Sequence, residues 1–271
     1  MRNPHPLDVA TALEATGPGR LQGQTRADYG NMTGFFGGYV TACLLRAVLE
    51  QPRLQDVPIA MTVNFCAPLA EGRFDASVRE VRTGRSTQHW LAEISQSNGT
   101  AATASIVCGA HRAVWSRQTA RIPSAPPYES VPVHAPFARS GWFQQYEMRF
   151  IEGAPDFSSP NGDAERSARS TLWLRDAGER PLDHLSLSAM ADAFVIRAFV
   201  ARGKLVPAST VTMTTYFHGT REEIAAQGAR PLLCTADANV FKDGFADQTA
   251  HLWGRDGRLL ATSNQIVWYK E

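Results

Sequence analysis

The chain has 271 residues, of which 44% are hydrophobic and 20% charged, so it reads as a soluble globular body of one large domain or two ordinary ones. Lys and Arg total 27 and Asp and Glu 26, for a net charge of +1. No strong field therefore argues for nucleic acid or an anionic membrane as partner, although a local patch for a small anion stays open. Cys43, Cys66, Cys108 and Cys234 form no CxxC pair and sit in apolar runs, which predicts buried free thiols in a reducing compartment. The opening Met-Arg-Asn-Pro-His-Pro has no apolar signal core, and no run reaches 18 uncharged apolar residues, so a cytoplasmic location without a membrane span is expected.

In chain order, residues 19–26 read as a first strand, followed by a Gly-rich turn through Gly37-Gly38. Tyr39 to Glu50 is too long and too rich in Ala, Leu and Val for a typical strand, and Pro52 stops it, which predicts a helix. Strands are expected at 58–68, 73–82, 86–96 and 100–111, with turns at Gly72, Gly84 and Asn98-Gly99, the last as a type I′ hairpin. Residues 113–140 hold Pro123, Pro126, Pro127, Pro132 and Pro136 among Ser and Ala and read as a linker. A strand at 142–151, a loop at 153–164 and a strand at 167–175 lead to a second helix at 185–201. Strands near 208–218, 232–243, 245–254 and 258–269 follow, with Asp256-Gly257 as another type I′ turn.

The chain thus says the same thing twice. Thr62, Phe65, Gly84 and Asn98-Gly99 have counterparts in Thr214, Phe217, Gly244 and Asp256-Gly257, and a helix with few charges precedes each copy. This is an α+β arrangement in which each helix needs burial on nearly every side. A curved antiparallel sheet wrapped around it meets that need, and two such sheets joined edge to edge protect their edges. The organisation expected is a first unit at 1–112, the linker at 113–140 and a second unit at 141–271.

Polar residues that could do chemistry concentrate in the second copy. Asp192 and Arg197 are the only charges between Ala189 and Ala201, and their spacing of five is poor for a same-face pair. Asp192 needs partners from elsewhere or faces a polar cleft. Thr210 opens the next strand, and Gln265 is a polar residue entering the apolar run Ile266-Val267-Trp268. Aligning the copies on Phe65 and Phe217 puts Pro58 opposite Thr210. Aligning them on the turn glycines puts Val107 opposite Gln265, while Asp192 falls opposite Gly38 or Thr41. The first copy lacks all three polar groups, so one site per chain is expected. Asp183 and His184 form an acid–histidine pair near the helix start, for which capping by Asp183 beside a surface His is the plainer reading. Phe35, Phe36, Trp142 and Phe143 cover an acyl chain or simply pack. No His, Cys and Asp cluster has metal-ligand spacing, and no G-x-S-x-G nucleophile motif is present, so no cofactor or metal is expected.

Met190-Ala191-Asp192, Thr210-Val211-Thr212 leading to Tyr216-Phe217-His218, and Leu260-Ala261-Thr262-Ser263-Asn264-Gln265 resemble the catalytic half of the acyl-CoA thioesterase II family. Phe36-Gly37-Gly38 and Asn64-Phe65-Cys66-Ala67-Pro68 fit its first half, so the resemblance runs from about Gly19 to Lys270. It implies a double hotdog fold, an acyl-CoA substrate and hydrolysis by a water held by Asp192, Thr210 and Gln265. Tyr39 departs from the polar residue that the family often has after the paired glycines. Gly37-Gly38 would either offer backbone donors to a thioester carbonyl or allow tight packing, and Tyr216 and His218 would line the acyl tunnel or pack. A dimer of double hotdogs is the expected assembly. Competing readings are a hotdog acyl-CoA hydratase or dehydratase, for which Asp183 and His184 are the candidate pair, and a non-catalytic acyl-CoA-binding protein.

Overall fold

The computed structural model describes residues 4–136, 141–157 and 166–270; the end of the expected linker at 137–140 and residues 158–164 of the expected loop lie outside them. The elements are α1 (Pro6–Ala10), β1 (Glu14–Gly17), β2 (Arg20–Gln24), α2 (Gly37–Leu49), β3 (Pro58–Phe65), β4 (Arg73–Thr83), β5 (Thr87–Gln96), β6 (Gly99–Gly109), β7 (Tyr146–Glu152), β8 (Ser170–Asp176), α3 (His184–Met190), α4 (Arg197–Arg202), β9 (Ala208–Phe217), α5 (Arg221–Gln227), β10 (Leu232–Asp237), β11 (Phe241–Lys242), β12 (Phe245–Trp253) and β13 (Leu259–Tyr269).

One antiparallel sheet carries the order β1-β2-β4-β5-β6-β3-β9-β13-β12-β10-β8-β7, with β11 attached to β12. The order reads the same from both ends if each strand is exchanged for its repeat, so a pseudo-twofold axis passes between β3 and β9. Their pairing proves it: Thr62 faces Thr214, Ala60 faces Tyr216 and Asn64 faces Thr212. On the axis the hydroxyls of Thr62 and Thr214 lie 3.0 Å apart and share a hydrogen bond. Joining the copies here hides the edge that each would otherwise expose.

The core lies inside the curve of the sheet. α2 forms because its Ala, Leu and Val side chains bury on all sides, and Ala42, Cys43, Leu44, Leu45, Ala47 and Val48 are fully buried. Each leucine contributes roughly 1.5–3 kcal/mol by leaving water. Its one cation, Arg46, stays at the surface, where Nε donates to Glu50 at 2.6 Å. α2 packs against α3 of the other copy as well as against β4, β5 and β6. The thiols of Cys43, Cys108 and Cys234 are buried, but Cys66 is exposed just past the end of β3, contrary to expectation.

Three other expectations need correction. The helix expected at 185–201 is two helices, α3 and α4, separated at 191–196. Asp192 and Ala193 donate to carbonyls three residues back, and Phe194 N–H donates to the Asp192 carbonyl, which closes the helix off. Val195, Phe199 and Val200 then fill a second small core. Tertiary packing overrides a run that is locally a good helix. The strand expected at 232–243 ends at Asp237. Neither hairpin turn is type I′, because that turn needs positive φ at both central residues. Gly99 and Gly257 have φ of 115° and 80°, while Glu179 and Asp243 are the non-glycine residues at positive φ among those described, so Asn98 and Asp256 do not qualify. The short α1, α5 and β1 are additional elements, and α5 does have a signal in the sequence, the capping box of Thr220 and Glu223.

The linker is tied down on the second copy. Gln118 bonds Gly257 O at 2.9 Å and Leu259 N at 2.8 Å, and Trp173 Nε1 donates to Pro126 O at 3.1 Å.

A double-mutant cycle of Thr62→Val and Thr214→Val, read by urea unfolding, should give a coupling energy of about 0.5–1.5 kcal/mol, as for one half-buried hydrogen bond. Strict additivity would show that the axial hydroxyls do not support the seam.

Candidate active site

Asp192, Thr210 and Gln265 come together on the inner side of the second copy. Gln265 is placed by strand alternation: Ala261, Ser263, Gln265 and Val267 of β13 face inward and are buried. Thr210 gets there by a β-bulge. Alternation back from the buried Phe217, Thr215 and Met213 would turn residue 211 inward, but Val211 is the extra residue between the pairs Thr212–Ile266 and Thr210–Val267. The bulge aims Thr210 to the inner face instead. Asp192 sits just past the end of α3, in the break between the helices, and is 8% exposed.

The three form a chain. Thr210 Oγ1 donates to Gln265 Oε1 at 3.1 Å, and Gln265 Nε2 donates to Asp192 Oδ1 at 3.0 Å. With Asp192 ionised this is the orientation the glutamine amide takes, because a carboxylate only accepts. The Gly38 N–H at the start of α2 gives Asp192 a second donor. Burial raises the Asp192 pKa to about 7, against the lowering effect of the Gln265 amide and the Gly38 N–H. The carboxyl is therefore poised near neutrality, which suits proton transfer at ordinary pH. Beside Gln265 the inner face carries two more hydroxyls, Ser263 and Thr215, which pair across the strands and have no hydrogen-bond partner among the described residues.

The paired glycines have a steric reason. A Cβ on Gly37 would lie 2.6 Å from Asp192 Oδ2, and one on Gly38 would lie 2.4 Å from the Ala189 carbonyl. Glycine thus lets α2 press onto α3 and onto the carboxylate. Of the two backbone donors considered for a thioester carbonyl, the one on Gly38 is directed towards Asp192.

Tyr216 and His218 are not brought to this cluster. Tyr216 alternates with the buried Thr215 and Phe217, points to the outer face and is 45% exposed. His218 is also exposed, and its Nε2 reaches Thr262 Oγ1 at 3.1 Å. Asp183 does cap α3, accepting from Ser186 N at 2.8 Å. His184 is buried rather than at the surface, against the Phe217 ring, and burial lowers its pKa to about 4. Asp183 gives its oxygens to Ser186 and Arg180, so no Asp–His dyad forms. Trp142 stacks on Phe36 with centroids 4.3 Å apart, in the core.

Structure-based register corrects one equivalence. Met61 faces Ile106 as Met213 faces Gln265, so the counterpart of Gln265 is Ile106, not Val107. Gly99 and Gly257 are not equivalent in register, because the second hairpin is one residue longer. Pro58 remains the counterpart of Thr210, across from Cys108 as Thr210 is from Val267.

Nothing in the sequence marked Tyr146, on β7. Its hydroxyl is buried without a partner among the described residues, and the Asp192 charge helps to hold its pKa up, behind burial, Tyr29 and Asp176. Among the described residues no group of three or more His, Cys, Asp or Glu could hold a metal, and no helix is long and apolar enough to cross a membrane.

Residues 25–109 match the acyl-CoA thioesterase N-terminal domain, and residues 115–269 match the acyl-CoA thioesterase C-terminal domain. Among solved structures, the chain is similar to a conserved hot dog fold protein of unknown function from Alicyclobacillus acidocaldarius, with 39% identity, TM-score 0.93 and 99% of each chain covered. It is also similar in fold to a tesB protein from Mycobacterium avium subs paratuberculosis, with 20% identity, TM-score 0.79 and 98% of each chain covered. A third likeness is to acyl-CoA thioesterase II TesB2 from Mycobacterium marinum, with 18% identity, TM-score 0.74 and 97% and 98% covered. No curated protein matches the chain. The architecture is the double hotdog, an α+β fold.

Gly38→Ala should destabilise the protein by about 1–3 kcal/mol in urea unfolding, since the neighbour it meets is backbone. Asp192 gives a pH signature. Its pKa is about 7 folded and about 3.9 unfolded, so its contribution to stability is full below the lower value and lost as pH rises through the upper one. Wild type should therefore lose stability relative to Asp192→Asn between about pH 4 and about pH 8. A difference in urea midpoint that is the same at both ends would contradict a carboxyl held protonated by burial.

Proposed function

The chain belongs to the acyl-CoA thioesterase family, and from that premise we propose that it hydrolyses acyl-CoA to a carboxylic acid and CoA with a water held by Asp192, Thr210 and Gln265. The observation that carries the reading is the Gln265 amide, which bridges the Thr210 hydroxyl and a buried carboxylate poised near pH 7. In this scheme residues 141–271 hold the water, residues 1–112 complete the fold and the acyl-CoA groove, and 113–140 join them.

A thioester needs little acid help, because its leaving thiol has a pKa near the free-thiol value of about 8.5. The water oxygen attacks the thioester carbonyl carbon while Asp192 takes a proton from it. The tetrahedral adduct then expels the thiolate by breaking the C–S bond, and the proton passes from Asp192 to sulfur or solvent. Thr210 gives its hydrogen to Gln265, so its oxygen is left to accept from the water and orient it. The Gln265 and Gly38 donors keep Asp192 ionisable in a site where burial opposes charge. The hydratase alternative wants an acid–histidine pair, and His184 and Asp183 do not form one. A cytoplasmic location and a homodimer of double hotdogs belong to the same proposal.

The test is release of free thiol from short, medium, long and aromatic acyl-CoAs. Asp192→Asn and Gln265→Ala should each lower kcat by about 10²–10⁴-fold, and Thr210→Val by roughly tenfold to a hundredfold, the worth of one hydrogen bond. In wild type kcat should rise with pH through about 7 as Asp192 ionises. Wild-type turnover in both Asp192→Asn and Gln265→Ala would end this assignment, and binding without turnover across the whole panel would favour the non-catalytic reading.

A further inference from the structure

Arg197 is 1% exposed and heads the fully buried side chains in size. Among the described residues no carboxylate lies within ion-pair distance of it. Its donors go almost entirely to backbone. Nε donates to the Val195 carbonyl at 2.9 Å and Nη2 to the same oxygen, while Nη1 donates to the Ala168 carbonyl at 3.1 Å and to Ser170 Oγ at 2.7 Å. Its own N–H donates to Gln248 Oε1 at 3.1 Å, and Gln248 is 2% exposed. Gln248 lies on β12 directly across from Gln265 on β13. One residue thus ties the non-helical stretch after α3 to the entry of β8 and to β12 beside the Asp192 partner.

A buried cation with no carboxylate in contact, on which Asp237 acts only at longer range, is weak ground for stability, since taking it out of water carries a desolvation penalty that carbonyl dipoles only partly offset. A lysine carries a compact point charge and lacks the planar fork that reaches both the Val195 oxygen and the Ala168–Ser170 pair. The geometry is that of a bolt, and the part it bolts carries Asp192.

We propose that Arg197 is a positioning residue for thioester hydrolysis, holding the 191–197 segment against β8 and β12 so that the Asp192 carboxylate stands where the Gln265 amide can reach it. This rests on Asp192 being the base, as proposed above. The groups that face Asp192 are the Gly38 N–H from α2 and Gln265 from β13, with Thr210 of β9 behind it and the Tyr146 hydroxyl of β7 within range of its charge. If the segment drifts, Asp192 loses the Gln265 bond, burial is opposed less and the carboxyl ionises only at higher pH.

The experiment is acyl-CoA hydrolysis by Arg197→Lys, Gln248→Leu and Asp192→Asn, with pH profiles of kcat and near-ultraviolet circular dichroism to confirm folding. Arg197→Lys should lower kcat about a hundredfold, the scale expected of a small misplacement far from the chemistry, with KM within about threefold, and its acid limb should move to higher pH. A change that merely weakens the fold would lower the melting temperature and leave the limb of the folded protein in place. Gln248→Leu removes only the acceptor for the Arg197 N–H, and decides by the same readouts if Arg197→Lys does not fold. A folded variant with kcat within about threefold of wild type and an unmoved limb, beside an inactive Asp192→Asn, overturns this inference alone. An active Asp192→Asn overturns the base assignment and this inference with it.

Discussion

A carboxylate taken out of water has to be given donors, and much of the second copy is arranged to supply them to Asp192. The helix breaks at 191–196 so that the residue can leave the helical path. Two glycines open α2, Gly37 leaving room for the carboxylate and Gly38 letting the helix press against the Ala189 carbonyl of α3. A glutamine stands in an inward row that otherwise holds Ala261, Ser263 and Val267. Each feature would be a local defect in an ordinary core, and together they make one satisfied, near-neutral acid.

The pseudo-twofold axis explains why the site has two owners. The donors to Asp192 come from both copies: Gln265 belongs to the second and Gly38 to the first. α2 and α3 meet across the axis, and the seam of β3 with β9 keeps them in register. The first copy is therefore not spare material alongside a working half, because its helix start forms one wall of the site.

Much of this was legible in the residues. The repeat showed through Thr62 and Thr214, which meet on the axis itself, and through two runs of Ala and Leu that demanded burial. Asp192 stood out as a charge in an apolar run, and Gln265 as an amide entering one. What did not show depended on contacts distant in sequence. The break after Met190 has no Gly or Pro to announce it; it comes from packing of Val195 and Phe199 and from the reach of Arg197. The bulge at Val211 is invisible to alternation, which would have turned Thr210 to the wrong side. The match of Val107 to Gln265 failed by one residue because hairpin turns are poor rulers, whereas strand register, which sets Ile106 there, is set by the whole ladder. Tyr216 and His218 followed the family motif along β9, and the pleat sent them to the opposite face.

The bulge has a further meaning. β3 carries the same irregularity as β9, with Ile59 as its extra residue between the pairs Pro58–Cys108 and Ala60–Val107. Backbone that turns a side chain inward at that point is thus common to both halves, yet in β3 it presents Pro58, which has neither a hydroxyl nor an N–H to offer. Mould and cast have come apart: the first copy keeps the shape of a socket whose contents it does not have. Curvature of the chain and chemistry of the chain are separate inheritances here, and a hotdog sheet can hold the first while giving up the second.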